Sequence, residues 1–475
     1  MNSEKVIICP GLINAKDYAE CIEKHFITKI SSIVLSSYPF RQENINQTWS
    51  EVAIKSKVHY SGDFFKINNS TLRKYADQIG DMYSVIHELS TPFFLSERTF
   101  PYSQFRSCAT HLPELLSLVA NSVALINEEK PEKIVFVLRP HNMFYWVLAK
   151  VAEQSGVEVL IVEHSPLIDS VWVVSGTQEN LFKTLPTKNQ KDAEITALEN
   201  YNSYNKLSAS DVHIADTNKN IGSSFLKRVV TILYKQKKTI RYITSVLLSE
   251  FYRNNRLNYL NNLTATFSFE NFSHKKVLTF FLHYQPEATT LPAGGVYNNQ
   301  LAAILKLSLL LPANWVLAVK EHPSVYGQRW NLTSNYREKS FYNFIQQLDN
   351  CILLPLDSNL DSIINASECL ATITGTVGLQ GVCTGKKAIV FGKAAFRNAP
   401  NVLDASGPAC TDEKIVHFIE KSNVSNKASV IAYLEEVALN SYKDPNFDYG
   451  IQNTSRNHGN ESAWILALMG VLHQA

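Results

Sequence analysis

The sequence has little glycine, no long apolar run and almost no net charge. Only 18 of its 475 residues are glycine, so each glycine cluster carries information. No apolar run approaches the roughly 20 residues that span a bilayer, and the short apolar stretch near Met1 is unlike a signal peptide. With 45 Lys+Arg against 43 Asp+Glu, the chain gives no reason to expect nucleic acid as a partner. We therefore expect a cytoplasmic globular protein of roughly two or three domains.

Several chemical signatures are also missing. The seven cysteines contain no Cys-x-x-Cys pair, and their number is odd. Most of them lie in apolar segments, so we interpret them as reduced, buried, small hydrophobic residues. No Cys/His spacing favours a zinc site. The pattern GxxxxGK[ST] does not occur, which excludes a Walker P-loop, and no GxGxxG follows the first predicted strand.

Between residues 275 and 401, apolar segments of strand length alternate with helical segments. Asp357 and Ser358 are suitable N-caps for one of these helices. Strict alternation with apolar strands predicts a parallel sheet covered on both faces, a Rossmann-like domain whose ligands bind at the carboxyl ends of the strands. The predicted strands are 277–284, 315–322, 351–355, 368–374 and 387–392, and the predicted helices are 296–311, 341–348, 357–367 and 376–385.

The N-terminal half repeats this pattern less clearly. Its stretch 175–220 is rich in Asn, Thr, Lys and Ser and is interpreted as a loop. Beyond residue 401 the pattern is helical, and an apolar helix at 461–474 closes the chain. The predicted elements of the first half are strands 5–10, 32–38, 133–139 and 158–164 and a helix 143–156.

The fold class expected from these elements is α/β, with two Rossmann-like domains, a helical insert and a helical tail. We expect the tail to pack back on the N-terminal domain. The predicted divisions are an N-terminal domain 1–174, a loop and basic helical connection 175–270, a C-terminal domain 271–405 and a helical tail 406–475.

Residues 221–262 form a basic segment of helical length with a rough apolar stripe. One interpretation is a peripheral surface that meets anionic lipid headgroups on the inner face of the cytoplasmic membrane. The other is a long connecting helix with a solvated basic face. The basic residues are Lys227, Arg228, Lys235, Lys237, Lys238, Arg241, Arg253 and Arg256, against one acid, Glu250.

Three clusters follow predicted strands of the second sheet, at the edge where all strand ends meet. A Thr-Gly-Thr turn before a helix offers backbone N–H groups and hydroxyls to a phosphate, or it is an ordinary threonine cap. Pro323 disfavours helical backbone at His322, which is able to donate to a phosphate. The clusters are His283 to Glu287 with Leu291 to Gly295, Lys320 to Pro323, and Thr374 to Gly378.

Glu287 is the first candidate for a catalytic carboxylate, because it follows an apolar strand and precedes a Gly-Gly loop. It is able to act as base, nucleophile or hydroxyl clamp, or it is a loop-bracing glutamate. The first domain offers further candidates at predicted strand ends, where they would face an interdomain cleft. These are Arg139, His141, Glu163, His164 and Asp169.

The segments LHYQPEATTLPAGGVYNNQ, VKEHP and TITGTVGLQGVCTGKKAIVFG together resemble the C-terminal half of bacterial capsule and surface-polysaccharide biosynthesis proteins. These are GT-B glycosyltransferases similar to the ulosonate (Kdo-type) transferases. The resemblance extends over about 275–400. Over 1–170 only the general pattern of strands and helices is similar. It implies two Rossmann-like domains facing a cleft, a nucleotide-sugar donor held by the C-terminal domain, and no metal or resident cofactor. The sequence contains no convincing DxD motif, which agrees with the expectation that the transfer needs no metal.

The resemblance also assigns site residues. Related transferases use CMP-activated acidic sugars, with the His-Pro pair at the nucleotide and the Thr-Gly-Thr turn at the phosphate. Glu287 would lie near the anomeric carbon. Glu163 and His164 are further catalytic candidates that come from their places at a predicted strand end of the first domain and not from the resemblance. Gln380 departs from the family, which often has an acid there for the ribose. The donor-binding set is Gln285, Lys320, His322, Pro323, Thr374, Gly375, Thr376 and Gln380, and the acceptor or cleft set is Arg139, His141 and His283.

We therefore expect a glycosyltransferase that moves a sugar, a CMP-linked ulosonic acid by the resemblance, to a glycan or lipid-linked glycan acceptor. Two alternatives stay open at this stage. One is an enzyme like a UDP-sugar 2-epimerase, which needs no acceptor. The other is a non-catalytic assembly protein of the polysaccharide machinery.

Overall fold

A computed structural model describes most of the two folded regions of the chain. The described residues are 5–9, 30–35, 57–66, 69–82, 108–140, 142–177, 181–182, 189–205, 240–265, 274–285, 290, 293–326, 337–421, 426–443 and 470–471. The chain forms two compact units, the first made of Met1–Ala197 with Leu434–Ala475, and the second of Leu198–Tyr433.

The first unit is built on an eight-stranded sheet with the order β14-β6-β5-β4-β1-β2-β3, and β7 pairs with β6. Strands β1 to β5 are parallel in the order 3-2-1-4-5, which is the Rossmann order. The antiparallel strands β6, β7 and β14 extend one edge. The strands are β1 Val6–Cys9, β2 Ile30–Leu35, β3 Lys57–Tyr60, β4 Lys133–Val137, β5 Glu158–His164, β6 Ser170–Ser175, β7 Leu181–Phe182 and β14 Tyr442–Lys443.

Helices cover this sheet because its central strands are apolar on both faces, and all five residues of β4 are buried. Helix α5 is itself almost wholly buried, and the Asn142 side chain caps it by accepting from the Tyr145 N–H at 2.8 Å. The helices of this region are α1 Ser61–Phe64, α2 Asn69–Lys74, α3 Ala76–Asp81, α4 Cys108–Glu129, α5 Met143–Gln154 and α6 Gln190–Asn205, the last of which crosses into the second unit.

The second unit is built on a six-stranded sheet with the order β10-β9-β8-β11-β12-β13. All of its strand pairs are parallel. Counted from β8, this is the doubly wound order 3-2-1-4-5-6. The chain order therefore reverses between β8 and β11. The strands are β8 Lys276–Phe281, β9 Trp315–Lys320, β10 Cys351–Leu354, β11 Cys369–Thr372, β12 Lys387–Val390 and β13 Val402–Asp404.

The core of the second unit lies on the sheet faces, where residues from the strands pack with residues from α8, α9 and α12. Two short 3-10 turns, Gly295–Asn298 and Pro323–Val325, follow β8 and β9. The helices are α7 Ile240–Thr264, α8 Gln300–Leu310, α9 Lys339–Gln346, α10 Leu360–Ala366, α11 Val377–Cys383, α12 Asp412–Glu420 and α13 Lys427–Leu439, which crosses into the first unit.

The predicted α/β class with two Rossmann-like sheets is confirmed by these strand orders. The interpretation of 175–220 as a loop is wrong in part, because Gln190–Asn205 is a helix. Its apolar residues are too few for a clear stripe, which is why the sequence pattern missed it. The cap of α10 is also corrected. Asn359 accepts from the Ser362 N–H at 2.9 Å, whereas Asp357 and Ser358 precede the cap.

The basic segment is described only from residue 240, and its side chains only from residue 251. Arg253 and Arg256 are buried in the second unit, where they bind the Tyr326 carbonyl and the Glu338 carboxylate. These two residues therefore do not belong to a lipid-facing surface, which corrects that part of the membrane interpretation. The basic residues from Lys227 to Arg241 lie outside the described side chains, and so does most of the predicted helix 461–474.

The five cysteines whose side chains are described are free thiols. Cys9, Cys369 and Cys383 are buried as predicted, whereas Cys351 and Cys410 are only partly buried. Among the described helices, none combines the length and the apolarity needed to cross a membrane. The predicted domain limits and the interdomain cleft stay predictions.

Candidate active site at the switch point of the second sheet

The reversal of strand order between β8 and β11 marks one place on the second sheet. In open α/β sheets the ligand binds in the crevice beyond the carboxyl ends of the strands at such a point. His283 lies two residues after β8, and Thr374 lies two residues after β11. Two of the three predicted clusters therefore begin at the switch point, and the His322 cluster begins beside them after β9.

The His283 imidazole and the turn after β11 are joined directly. His283 Nε2 lies 3.0 Å from Thr372 Oγ1, and the Thr374 N–H donates to the same nitrogen at 3.2 Å. Both contacts use the same ring nitrogen, and the Thr372 hydroxyl also donates to the Phe281 carbonyl at 3.3 Å. The Gly375 N–H in turn donates to Thr372 Oγ1 at 3.2 Å. The Thr372 hydroxyl thus contacts both the His283 ring and the turn. The sequence did not indicate this role, because Thr372 lies within an apolar strand.

Gly375 is required by this close approach. A Cβ atom at this position would lie 2.8 Å from Thr372 Oγ1 and 3.3 Å from the His283 ring. The first distance is shorter than a side chain tolerates, so any larger residue would push the turn away from β11 or displace the hydroxyl.

The His283 backbone is also held from several sides. Its N–H donates to Gln300 Oε1 at 2.8 Å, and its carbonyl accepts from Gln300 Nε2 at 3.0 Å and from Arg337 Nη2 at 2.6 Å. The amide of Gln300 thus replaces a strand partner just beyond β8. Next in the chain, buried Gln285 donates to the Asn298 carbonyl at 2.6 Å and fixes the 3-10 turn. The side-chain amide of Gln285 is therefore engaged in holding this turn. The sequence pattern did not indicate Gln300 or Arg337.

His322 and Pro323 form the start of the second 3-10 turn. His322 Nδ1 accepts from the Ser324 N–H at 3.1 Å, and its ring packs 5.2 Å from the Tyr284 ring, centroid to centroid. The neutral ring therefore carries its proton on Nε2. Pro323 occupies the first position of the turn, where its fixed φ is suitable and no N–H is lost. The turn holds His322 as a hydrogen-bond donor through Nε2.

Lys320 and Glu321 point to opposite faces, as expected for successive residues at a strand end. Lys320 Nζ donates to the carbonyls of Pro355 and Leu356, at 3.0 and 2.6 Å. Burial lowers the pKa of Lys320 to about 8, although Glu321 and Asp357 act in the opposite direction. The structure thus places the amine against the loop after β10. Glu321 turns inward to Arg337.

The Thr-Gly-Thr turn is only partly available to a ligand. The N–H groups of Thr374 and Gly375 are donated within the site. Thr376 is exposed and begins α11, but its side chain makes no capping bond. The ordinary threonine cap is therefore not formed here. Gln380 is buried on α11.

In the first unit the structure joins Arg139 and Glu163. Arg139 Nε and Nη2 donate to the two Glu163 oxygens at 2.6 and 2.8 Å. Burial alone would lower the pKa of Arg139, but the Glu163 carboxylate outweighs it and raises that pKa. Leu138, between β4 and Arg139, has a φ of 75°, which a non-glycine residue rarely adopts. Glu163, a predicted catalytic residue, thus has both oxygens engaged in a fork.

His164 ends β5 beside this pair. Burial lowers the pKa of His164 to about 4, with Glu163 opposing the shift, so the ring is neutral at pH 7. Asp169 lies in the turn before β6 with a φ of 55°. His141 and Glu287 lie outside the described residues, so their predicted roles stay predictions. In the part of the chain that is described, no group of three His, Cys, Asp or Glu residues is placed to hold a metal ion.

Residues 290–403 match the model of the capsule polysaccharide biosynthesis protein family. The predicted resemblance to this family is confirmed over these residues. The matched region contains the His322 turn and the Thr-Gly-Thr turn, and it begins seven residues after His283. No curated protein shows a significant sequence match to the chain.

Solved structures with similar folds have low sequence identity. The KpsC β-Kdo 2,7-transferase of Thermosulfurimonas dismutans is 12% identical over 74% of this chain and 88% of its own, with a TM-score of 0.30. The UDP-GlcNAc 2-epimerase of Neisseria meningitidis, bound to UDP-GlcNAc, is 13% identical over 99% of this chain and 100% of its own, with a TM-score of 0.23. The fold assignment therefore rests on the strand orders of the chain itself.

Proposed function

We propose that this protein is a glycosyltransferase of bacterial surface-polysaccharide biosynthesis that uses a nucleotide-activated sugar. The observation that carries the proposal is one juxtaposition. The region that matches capsule-biosynthesis proteins holds the Thr374–Thr376 turn at the switch point of a Rossmann-type sheet and the His322 turn beside it. Nucleotides bind at such switch points in doubly wound sheets.

The donor phosphates would interact with side-chain donors on these two turns. The Nε2–H of His322 and the hydroxyl of Thr376 both lie on loops at the carboxyl edge of the second sheet. Hydrogen-bond donors fixed in place stabilise the charge that develops on a leaving phosphate without reorganising during the reaction. In this proposal His322 makes the largest contribution, because its ring is held by Ser324 and Tyr284.

The finer assignment follows the family resemblance. The donor would be a CMP-linked ulosonic acid, and the acceptor a glycan or a lipid-linked glycan. Glu287 would activate the acceptor hydroxyl or attack the sugar. Glu163 is a weaker candidate for these roles, since both its oxygens accept from Arg139. Transfer would need no metal and no resident cofactor.

Isothermal titration calorimetry with CMP, UDP and GDP tests the nucleotide site. We expect CMP to bind the wild-type protein and His322→Ala to weaken binding at least tenfold, about 1.4 kcal/mol. His274→Ala is the matched control, because exposed His274 precedes β8 at the opposite edge of the same sheet. Loss of binding in both variants, or in neither, would contradict the assignment of His322.

Product analysis separates transfer from the two alternatives. With donor alone, a 2-epimerase would release epimerised donor or free sugar, which mass spectrometry detects, whereas a transferase needs an acceptor for full turnover. An assembly protein without catalytic activity would support polymer synthesis in cells even as His322→Ala or Glu287→Gln. We expect both variants to abolish the polymer.

Membrane association is a separate proposal that now rests on residues 227 to 241. Vesicles containing phosphatidylserine should retain the protein at low salt and release it as salt rises. Because Arg253 and Arg256 are buried within the second unit, retention should not depend on them. Binding to neutral vesicles, or binding that salt does not weaken, would contradict the proposal.

A further inference from the structure

A fully buried ion pair contacts the backbone of the candidate site. Arg337 Nε donates to Glu321 Oε2 at 2.6 Å, and both side chains have 0% exposure. Burial alone would lower the pKa of Arg337, but the Glu321 charge outweighs it and raises that pKa. Arg337 therefore stays charged in the interior of the second unit, in contact with the Glu321 carboxylate.

The Glu321 carboxylate has a complete set of donors. Its Oε2 also accepts from Tyr342 Oη at 2.8 Å, and Tyr326 Oη lies 2.8 Å from Tyr342 Oη. Burial, reinforced by the Glu321 charge, raises the pKa of both tyrosines, so both remain neutral donors. The Arg337 guanidinium stacks 4.4 Å from the Phe341 ring centroid. The network is thus satisfied by hydrogen bonds and by packing.

Each member of the pair also holds the backbone of one site histidine. Glu321 Oε1 accepts from the His322 N–H at 2.7 Å. Arg337 Nη2 donates to the His283 carbonyl at 2.6 Å. One charge pair therefore connects the end of β8, the end of β9 and the segment that precedes α9. Both histidines of the candidate site contact it through their backbones.

We propose that Glu321 and Arg337 are positioning residues, which place the rings of His322 and His283 for a nucleotide phosphate. The link to the phosphate rests on the proposed function. The link to the histidines does not, because it is visible in the contacts themselves.

Stability alone is a poor reason for such a pair. Removing two charges from water is costly, and well-packed apolar side chains of similar volume often stabilise a protein as much or more. An apolar pair, however, has no acceptor for the His322 N–H and no donor for the His283 carbonyl. What the ion pair adds is the orientation of two backbone groups next to the site.

The positioning has a spectroscopic consequence. His322 accepts through Nδ1 from Ser324, and His283 accepts through Nε2 from Thr374. Each ring is thus held at one nitrogen by a backbone N–H, and ring ¹⁵N chemical shifts report the tautomer that each ring adopts. If the ion pair sets the two backbones, then removing it should mix the tautomers of both rings.

The test uses the full-length protein with ¹⁵N-labelled histidine, and the signals are assigned through His283→Gln and His322→Gln. The variant Glu321→Leu/Arg337→Met removes both contacts. We expect it to fold, to mix both tautomers and to weaken CMP binding about tenfold. Arg337→Lys keeps the charge next to Glu321 but replaces the fork by one ammonium. It should disturb His283 and leave His322 unchanged.

Asp412→Asn is the control, since it breaks the Lys306–Asp412 ion pair on the surface of the same unit and should change neither signal. A folded Leu/Met variant with wild-type histidine signals would overturn the proposal. If that variant does not fold, Arg337→Lys becomes the test of the proposal. An unchanged His283 signal in Arg337→Lys would then overturn the proposal. If wild-type protein binds no nucleotide while the tautomers respond as expected, the proposed function fails and the positioning stands.

Discussion

Each of the two units holds a buried Arg–Glu pair at the carboxyl end of its sheet, yet the two pairs are built differently. Arg139 and Glu163 extend from the neighbouring strands β4 and β5 and form a symmetric fork, with side-chain exposures of 14% and 10%. Arg337 and Glu321 have 0% exposure, and besides each other they bind the N–H of the adjacent His322 and the carbonyl of His283 after β8.

The difference shows that the same two residue types serve different purposes on the same fold. In the first unit the pair clamps two adjacent strand ends, and water reaches its rim. In the second unit the pair is dry and connects segments that lie far apart in the chain, so that it controls the geometry of a site. Its disruption should therefore have the larger effect, because a buried charge left without its partner is costly.

The largest expected effect is the loss of one partner of the dry pair. Arg337→Met should cost about 3–5 kcal/mol of unfolding free energy. Arg139→Met should cost less, about 1–3 kcal/mol, because the two side chains are 14% and 10% exposed and not fully buried. Hydrogen exchange resolved by peptide measures the two units separately. Equal costs for the two substitutions would remove the distinction between the pairs.

A second prediction concerns acid and the first unit. Unfolded His164 binds a proton near pH 6.5, whereas the folded residue, whose pKa burial lowers, binds one only near pH 4. The unfolded state therefore holds more protons between these values, so stability falls as the pH drops from 6.5 to 4. The loss is at most about 3 kcal/mol. Denaturant titrations at a series of pH values should show that His164→Gln lacks this loss, while the exposed control His417→Gln retains it.

The second unit should show the corresponding effect in alkali. Folded Lys320 loses its proton near pH 8, because burial lowers its pKa from 10.5. Between these values the unfolded state holds more protons, so this residue's contribution to stability rises with pH by at most about 3 kcal/mol. The measure is the difference in unfolding free energy between wild type and Lys320→Met, in which effects common to both cancel. A difference that stays flat from pH 8 to 10.5 would contradict the burial of this amine.

The sheet of the second unit was predictable because its strands are apolar throughout and alternate with helices. Five of its six strands lie within or one residue from the predicted segments, and β13, with three partly exposed residues, was missed. In the first unit β3, β6, β7 and β14 were missed. The last two are two-residue strands, and only their partner β6 makes them part of a sheet.

Much of the candidate site was also visible in the sequence, since strand order brings the ends of β8, β9 and β11 to one edge. The residues that hold the site in place were not visible. Arg337 lies 16 positions beyond Glu321, and Gln300 lies 17 beyond His283, with no repeating pattern that connects them. Such contacts depend on the path of the loops in space. Sequence periodicity describes only what repeats along an element.

The smallest expected effect comes from replacing single glycines by alanine, and one glycine from each unit is compared. A Cβ at Gly375 would lie 2.8 Å from Thr372 Oγ1, whereas a Cβ at Gly80 in α3 has no atom within 4 Å. Gly375→Ala should therefore cost about 1–3 kcal/mol through overpacking and should also displace the turn that binds His283. Gly80→Ala should add about 0.5–1 kcal/mol, because alanine favours a helix. Denaturant titration measures both changes. If Gly375→Ala left stability and the His283 signal unchanged, the close contact between β11 and the turn would not be what requires glycine there.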